Sequence, residues 1–300
     1  MNGIIILNKP AGFTSLDAVA KLRGILRERR IGHAGTLDPQ ATGVLVVLVG
    51  NAARCSGILP NDDKVYEAEC VFGIETDTED IWGKVFREES VKASVEEIKS
   101  AIENFTGTYL QTPPMYSAKK VQGRKLYELA RQGIEIERKA CAVTIHEITD
   151  VHVSKEEGVR ASFTVHVSSG TYIRSLIRDI AASIGERAAM TALKRTLQGI
   201  FPLSAAHSFS EIEEAVKAGN LSDILIPTER VFETYPCATV LPEYEPRFLN
   251  GNKLLPEMVA FGTSGLMEDG ARFRIRLTDG SFKAVYEVKE GVLTPYKMFL

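Results

Sequence analysis

Hydrophobic and polar positions along the chain fall into runs and alternations that predict a series of strands. The unbroken apolar runs at residues 4–7 and 44–49 predict buried strands. Alternation of apolar and polar side chains around Tyr66, and again over residues 144–153 and 159–167, predicts strands with one buried face. Alternating strands of this kind suit an antiparallel or mixed sheet.

Helices are predicted where apolar residues recur every three or four positions behind a capping residue. With Thr14 or Ser15 as the cap, one face of the first predicted helix collects four apolar side chains: Leu16, Val19, Leu22 and Leu26. Ser94 and Glu97 form a capping box ahead of a second helix that ends near Gly107. Three more helices are predicted at about residues 124–132, 172–184 and 210–218.

The order of these elements indicates an α+β fold with a mixed or antiparallel central sheet and flanking helices. From residue 271 onward the chain is rich in strands, and Asp279-Gly280 between two alternating runs is a hairpin signal. No long helix is predicted after about residue 250. The end of the chain is therefore expected to form a small separate β unit.

The charge totals alone argue against a nucleic-acid partner, because 36 basic and 39 acidic residues leave a net charge of −3. The distribution changes this picture. Residues 1–60 hold 7 basic and 3 acidic side chains, residues 111–140 also hold 7 and 3, and residues 171–200 hold 5 and 2. Acidic residues concentrate in 61–110 and 201–250. A polyanion responds to the local field, so a basic RNA-binding face stays open beside the alternative of ordinary solvated helix faces.

The cysteine and histidine positions predict no metal centre. No CxxC pair occurs, the histidines form no zinc-binding spacing with the cysteines, and so few cysteines indicate a reducing compartment. The residues concerned are Cys55, Cys70, Cys141, Cys237, His33, His146, His152, His166 and His207. The N-terminus lacks a basic segment, and the longest strongly apolar run is six residues, too short to span a bilayer. We therefore expect a soluble cytoplasmic protein without a membrane partner.

The loop at residues 32–43 carries the leading candidate for catalysis, Asp38. Glycines and a proline shape this loop directly before a buried strand, which suits the presentation of a carboxylate to a substrate. The alternative is an Asx-turn, in which Asp38 bonds a nearby backbone N–H group. Arg174 follows Tyr172 at a predicted strand-to-helix junction, where the two share a face if the backbone is extended. The helix dipole disfavours a cation there, so we expect Arg174 to pair with a carboxylate such as Asp38 rather than lie free on the surface.

Tyr66 and a basic stretch carry weaker signals. By default Tyr66 is a core residue, and a functional role requires the buried face of its strand to end in a pocket. Residues 116–125 combine an aromatic ring with four cations, which suits phosphate contact and base stacking. No phosphate-binding loop, dinucleotide motif or metal-ligand cluster occurs in the sequence, so no cofactor is expected. No second carboxylate candidate accompanies Asp38, as the chemistry of a glycosidase would require.

Seven ordered segments link these candidates over about residues 3–200. They are LNKPAG at 7–12, GHAGTLDP at 32–39, ATGVL at 41–45, KVYEA at 64–68, TDT at 76–78, QTPPMYSAKK at 111–120 and GTYIR at 170–174. In this order they resemble the bacterial tRNA pseudouridine synthase B family, which isomerises uridine 55 in the T loop of tRNA. Because uracil moves from an N–C to a C–C link to the ribose, the resemblance implies a reaction without a redox carrier or any other cofactor.

The resemblance implies a role for each residue around the target base. Asp38 is implied as the catalytic aspartate and Arg174 as its partner. Tyr66 is implied to pack on the target base, which must leave the stack to be modified. Tyr172 is implied to support that pocket, and Lys9 to brace the floor of the site.

For the RNA beyond the target base, the resemblance implies that His33 fills the stack that the flipped nucleotide leaves. Further RNA contacts are implied for Thr36, Lys119, Lys120 and Arg124. Residues 111–139 are implied to form a mobile thumb that closes on the T arm.

The implied fold is of the pseudouridine synthase type, with a catalytic domain at residues 1–240 and a small PUA-like RNA-binding domain at 241–300. Residues 185–240 are implied as a C-terminal extension of the catalytic domain. The implied partner is tRNA, bound through its T arm and T loop by a monomer that uses no guide RNA. Two alternatives stay open: a synthase of the same fold for another RNA site or with a guide RNA, and a non-catalytic RNA chaperone.

Overall fold

The computed structural model describes residues 1–60, 62–117, 120, 121, 124, 125, 134, 136–262 and 267–300, with the backbone alone at 120, 121, 124 and 125. Two sheets dominate this part of the chain, a large central sheet and a smaller C-terminal sheet. No helix in the described ranges has the length and apolar character needed to cross a membrane.

The strands up to residue 202 supply the central sheet and two short hairpins. Their bounds are β1 Gly3–Lys9, β2 Ile31–Ala34, β3 Thr42–Val49, β4 Lys64–Phe72, β5 Ile74–Thr76, β6 Val85–Glu88, β7 Gly107–Gln111, β8 Lys120–Val121, β9 Arg124–Lys125, β10 Cys141–Ser154, β11 Arg160–Val167, β12 Ala188–Gln198 and β13 Phe201–Pro202. Within the described chain the central sheet runs β1-β3-β12-β4-β11-β10-β7, with β2 paired to β3 and β13 to β12. Because β12 is parallel to β3 and antiparallel to β4, the sheet is mixed, and the α+β prediction is confirmed.

The burial of each strand explains its sequence pattern. β1 and β3 are buried along nearly their whole length because apolar clusters cover both faces of that half of the sheet. Only one face of β4 and β11 meets the core, so Tyr66 points inward while Glu67 is exposed. The predicted alternation therefore reflects a sheet that is covered on one side at its centre.

Helices pack mainly on the face of the sheet that carries Tyr66. The α-helices of the described chain are α1 Ser15–Leu26, α2 Val95–Glu103, α3 Ile173–Ser183, α4 Phe209–Ala218 and α5 Glu245–Leu249. Short 3-10 helices cover Gly50–Cys55, Leu203–Ala205, Leu221–Asp223, Thr228–Phe232, Pro242–Tyr244 and Pro256–Met258. Side chains of Thr14, Ser94 and Ser208 cap α1, α2 and α4 with complete capping boxes.

Three local predictions differ from the structure. Leu16 is 60% exposed and does not lie on the buried face of α1. Residues three apart differ by about 60° around a helix of about 3.6 residues per turn, so the spacing 16, 19, 22 does not keep to one face. The helix predicted from residue 124 is wrong at its start, where β9 pairs with β8, and residues 126–133 lie outside the described chain. Finally, α2 was predicted to end near Gly107 but ends at Glu103. Gly107 instead begins β7, with a φ of 96° that glycine adopts readily.

A second sheet forms from the end of the chain. Its strands are β14 Cys237–Val240, β15 Val259–Phe261, β16 Arg272–Arg276, β17 Phe282–Lys289 and β18 Val292–Met298. Their order is β15-β14-β16-β17-β18, and the predicted turn at Asp279-Gly280 joins β16 to β17. The sheet has its own apolar core around Phe248, Phe273 and Tyr286. β14 begins ahead of residue 241, where the sequence places the domain boundary, and that boundary stays a prediction.

Aromatic rings attach the second sheet to the back of the central one. Phe232 lies 5.9 Å from Phe282 and 5.8 Å from Phe299, measured between ring centroids. These rings share an apolar cluster with Ile4 and Ile6 of β1. The C-terminal sheet therefore packs on the face of β1 opposite to α1 and α3.

Candidate active site

Asp38 lies in the loop between β2 and β3, and the residues on either side hold this loop in place. Leu37 donates its N–H to Ser15 Oγ at 2.9 Å, and that hydroxyl donates back to the Leu37 carbonyl at 3.2 Å. The carbonyl of Pro39 accepts a hydrogen bond from Lys9 Nζ at 3.1 Å. Because both neighbours of Asp38 are tied to buried side chains, its carboxylate has a defined position.

Lys9 is fully buried below this loop. Its ammonium donates to the carbonyls of Pro10, Phe13 and Pro39 at 2.9, 2.8 and 3.1 Å, which uses all three of its hydrogens. Burial lowers the pKa of Lys9 to about 8, and the charge of Asp38 offsets part of that effect. The structure therefore places Lys9 beneath the floor of the Asp38 loop.

A second buried cation, Arg195 of β12, holds the start of the same loop. Its Nε donates to the Val44 carbonyl at 2.7 Å, and its Nη2 donates to the Gly35 carbonyl at 3.0 Å. Gly35 has a φ of 76°, and a Cβ there would collide with the Gln198 side chain, so only glycine suits this position. Sequence reasoning missed Arg195, because it predicted no strand at residues 188–198 and a single arginine gives no sign that it is buried.

Arg174 lies in the first turn of α3 and binds both oxygens of Asp38. Its Nε lies 2.9 Å from Oδ2, and its Nη2 lies 3.0 Å from Oδ1. Its other hydrogen bonds go to the carbonyls of Thr78 at 2.7 Å and Tyr116 at 2.9 Å. The pair with Arg174, rather than an Asx-turn, therefore sets the orientation of the carboxylate.

A second carboxylate, Asp80, approaches the same arginine, so the expectation that no second acid accompanies Asp38 is wrong. Asp80 Oδ2 lies 3.9 Å from Arg174 Nη1, while its Oδ1 accepts hydrogen bonds from Thr78 Oγ1 at 2.6 Å and from the N–H of Trp82 at 3.1 Å. Burial raises the pKa of Asp80. The residue comes from the turn between β5 and β6, which bridges to β12. That contact between distant segments left no signal in the sequence.

The Asp38–Arg174 pair lies in a cleft of about 680 Å³, a size typical of sites for small molecules. The Asp38 side chain is 35% exposed, whereas that of Arg174 is 5% exposed. Trp82 also lines the cleft and is 48% exposed. An exposed aromatic ring in this cleft suits stacking on a base, and as the single tryptophan of the chain it could have been singled out from the sequence.

Two of the predicted RNA-contacting residues, His33 and Thr36, line the same cleft as Asp38. Thr36 is exposed. Within the described part of the chain, the buried Nδ1 of His33 has no hydrogen-bond partner. Burial and the nearby charge of Arg195 lower the pKa of His33, which favours a neutral imidazole.

Tyr66 is buried on the core face of its strand, as expected by default, and neither Tyr66 nor Tyr172 is among the described residues that line the cleft. Tyr66 is 6% exposed in β4, and the guanidinium carbon of Arg195 lies 6.0 Å from the centre of its ring. Gln111 binds both the N–H and the carbonyl of Tyr172, at 2.8 and 3.1 Å. α3 begins directly after Tyr172, so Arg174 is helical, and the extended backbone that would put the two side chains on one face is not present.

The predicted phosphate contacts fall mostly outside the described residues. Lys119 is one of the residues that the structure does not describe. Lys120 and Arg124 belong to the β8–β9 hairpin, in which Lys120 pairs with Lys125 and Val121 with Arg124. Only their backbones are described, so their contacts with RNA stay predictions.

Known proteins match both the sequence and the fold. A family model described as the N-terminal domain of TruB family pseudouridylate synthases matches residues 23–173. The tRNA pseudouridine synthase B of Alkaliphilus oremlandii is 44% identical over 85% of this chain and 83% of its own, and that of Lachnoclostridium phytofermentans is 44% identical over 100% of both. A structure of an H/ACA RNP bound to a substrate RNA containing 2′-deoxyuridine shares the fold, with a TM-score of 0.70 and 23% identity over 99% of this chain and 85% of that chain. The resemblance seen in the sequence is thus confirmed, and the chain belongs to the TruB family of pseudouridylate synthases.

Proposed function

We propose that this protein converts uridine to pseudouridine at position 55 in the T loop of tRNA, with Asp38 as the catalytic carboxylate. The proposal depends above all on the Asp38–Arg174 pair, because it presents one oriented and partly exposed carboxylate in a cleft that admits a nucleotide. Membership of the family, and close relatives that bear the name tRNA pseudouridine synthase B, support the reaction and the substrate.

The reaction is an isomerisation, so every atom of the uridine is kept. The bond between N1 of uracil and C1′ of the ribose breaks, a bond between C5 and C1′ forms, C5 loses its proton and N1 gains one. A single carboxylate can serve these steps as a nucleophile or as a base. Arg174 occupies one lone pair on each oxygen of Asp38, which leaves the others directed at the substrate.

Arg174 keeps its position when substrate reaches Asp38 because its other partners belong to the protein. The carbonyls of Thr78 and Tyr116 accept two of its hydrogen bonds, and Asp80 supplies a second negative charge behind it. We therefore assign Asp80, which also lines the cleft, as a positioning residue that acts through Arg174. Lys9 and Arg195 hold the Asp38 loop from below in the same way.

The target base must leave the tRNA stack, at a cost of about a few kcal/mol. Aromatic rings recover part of that cost by stacking. We assign His33 to the gap that the base leaves, since its neutral imidazole lines the cleft. We assign Tyr66, which is buried in β4 and is not among the described residues that line the cleft, as the ring on which the base packs, with Tyr172 as its support. Trp82 adds an exposed ring in the wall of the cleft.

The protein acts on the T arm as a monomer, without guide RNA or cofactor, in the cytoplasm. The names of its relatives support tRNA as the substrate. Residues 1–240 form the catalytic domain with its extension from 185, and 241–300 form the PUA-like domain that holds RNA outside the cleft. Phosphate contacts come from Thr36 and the thumb at 111–139, whose basic window supplies Lys119, Lys120 and Arg124.

The test is to incubate the purified protein with unmodified tRNA transcripts and to map pseudouridine at every uridine. We expect product at position 55 with the protein alone, and no product with the Asp38→Asn variant. A transcript with cytidine at position 55 is the substrate control. Product at a different position, or a requirement for an added RNA, contradicts the assigned substrate, whereas product formed by Asp38→Asn contradicts the catalytic role.

A further inference from the structure

A group of three side chains outside the cleft has the composition of a metal site. Asp63 directly precedes β4, and His146 and His166 belong to β10 and β11. One ligand atom from each lies within 4.8 Å of the other two. The three residues are far apart in sequence, which is why their spacing predicted no metal centre.

Strand pairing brings the two histidines together. His166 alternates with Val165 and Val167, which face the core, so its imidazole projects from the opposite face of the sheet. On β10 a bulge makes His146 an additional residue opposite His166. The two rings meet there, with their centroids 4.7 Å apart.

Asp63 adds a carboxylate to this pair of imidazoles. Its Oδ2 lies 3.3 Å from His146 Nε2 and 4.0 Å from His166 Nε2. The carbonyl of Asp63 accepts a hydrogen bond from the N–H of Gly199 at 2.8 Å, so the backbone that carries the carboxylate is fixed. The three side chains are 36–38% exposed, which leaves them accessible to an ion from solvent.

We propose that Asp63, His146 and His166 bind a divalent transition-metal ion of the zinc class. Neighbouring ligand atoms of a tetrahedral zinc site lie about 3.3 Å apart, and the distance from Asp63 to His146 already has that value. A rotation of the His166 side chain brings the third ligand into place. Two imidazoles and a carboxylate suit zinc and its neighbours, whereas magnesium and calcium prefer oxygen ligands alone. Water completes the fourth position.

The ion links the chain ahead of β4 to β10 and β11, so its role is structural. The adjacent Asp62 accepts hydrogen bonds from Ser169 at 2.9 Å and from Gln198 at 2.8 Å. Gln198 in turn packs beneath Gly35, at the start of the Asp38 loop. An ion that binds only the folded state therefore stabilises the segment that supports this loop.

The experiment measures Zn²⁺ uptake by the full-length, metal-free protein in competition with a chromophoric chelator. We expect one equivalent of zinc to bind, and each of Asp63→Asn, His146→Gln and His166→Gln to weaken binding by about tenfold or more. His152→Gln is the matched control, because His152 is an exposed histidine on the same strand as His146, and we expect it to bind zinc like the wild type.

Two further measurements define the ligands. An excess of Mg²⁺ should not displace Zn²⁺, because it avoids imidazole. Co²⁺ bound in place of zinc should show visible d–d absorption without the charge-transfer band that ligation by a cysteine thiolate would produce.

Three outcomes overturn the proposal: zinc uptake that persists in a His146→Gln/His166→Gln double variant, a thiolate band with Co²⁺, or no stoichiometric uptake by the wild type. The last would leave the three side chains as an ion-pair cluster only. Pseudouridine formation by the same variants, assayed without zinc, is expected to be unchanged, because other residues line the cleft. The zinc site and the proposed function can therefore fail independently.

Discussion

Two clusters of arginine and carboxylate groups in this protein have opposite compositions. In the cleft one buried arginine, Arg174, lies beside two carboxylates: its Nε is 2.9 Å from Asp38 Oδ2, and its Nη1 is 3.9 Å from Asp80 Oδ2. Where the chain enters the C-terminal sheet, one carboxylate, Glu229, forms ion pairs with two arginines of β16. The first cluster therefore has an excess of negative charge, and the second has an excess of positive charge.

The cluster around Glu229 lies outside the cleft, and its carboxylate is largely buried although Arg276 is 40% exposed. Glu229 lies 3.1 Å from Arg274 and 2.8 Å from Arg276, and Arg274 also donates to the Tyr235 carbonyl at 2.9 Å. The Glu229 side chain is 16% exposed, less than half the 35% exposure of Asp38. Similar ion pairs can therefore have different roles. A pair whose carboxylate keeps lone pairs open to a cleft can act on a substrate, whereas a pair whose carboxylate is enclosed by arginines stabilises the fold.

Asp38→Asn removes the open member of the cleft cluster and has the largest expected effect. We expect single-turnover pseudouridine formation to fall by about 10⁴-fold or more, because the neutral amide is neither a nucleophile nor a base. Affinity for tRNA, measured by filter binding, should stay within about threefold, since phosphate contacts dominate it. Turnover near the wild-type rate would end the assignment of Asp38.

Arg174→Lys keeps the charge of the cleft cluster but removes its geometry. A lysine cannot bind both oxygens of Asp38 together with the carbonyls of Thr78 and Tyr116. We expect kcat to fall by about 100-fold while KM for tRNA changes much less. Steady-state kinetics on a tRNA transcript separates the two parameters.

The matched control is Arg178→Lys, one helical turn further along α3. Arg178 pairs with Glu79 and Asp179, so we expect this substitution to reduce stability more than turnover. If both variants lose kcat equally, the placement of α3 as a whole sets the rate, and the specific contact between Arg174 and Asp38 does not.

Glu229→Gln breaks the cluster in the C-terminal sheet. Arg274 and Arg276 then lose their shared counter-charge, and we expect the free energy of unfolding in urea to fall by about 2 kcal/mol. The kcat of the folded variant at 25 °C should equal that of the wild type. A loss of kcat without a loss of stability would remove the distinction between the two clusters.

The pH dependence of Lys9, below the cleft cluster, has the smallest expected effect. The pKa of Lys9 is lowered from its usual 10.5 to about 8, so above pH 8 the folded protein releases a proton that the unfolded chain keeps. Stability from this group therefore rises with pH between those values. Relative to Lys9→Met, the unfolding free energy of the wild type should increase by about 1 kcal/mol from pH 7 to pH 9. A difference that does not change with pH contradicts the lowered pKa.

The elements predicted best are those whose burial follows a local pattern. β4 and β11 alternate along the sequence as they do in the sheet, and the capping box at Ser94 and Glu97 begins α2 as predicted. Leu16 was assigned to the wrong face of α1 because a few apolar positions do not fix the rotation of a helix. The predicted end of α2 near Gly107 lies four residues beyond Glu103, whereas the predicted end of α4 at residue 218 is correct.

Within the site, the sequence was informative where a residue conflicted with its local surroundings. Arg174 at a helix start called for a carboxylate partner, and Asp38 fills that role. Asp80 and Arg195 gave no such sign, because the position of Asp80 depends on a bridge to Met190 and that of Arg195 on complete burial in β12. Contacts between distant segments are invisible to periodicity and capping rules.

The central position of β12 also orders events during synthesis. In the central sheet β12 lies between β3 and β4 and pairs with both. On the ribosome, both strands emerge long before Ala188–Gln198 and hold an unpaired edge until that segment follows. The nascent chain thus completes its central sheet late, and a product truncated before residue 188 would offer neighbouring chains two open sheet edges instead of an enzyme.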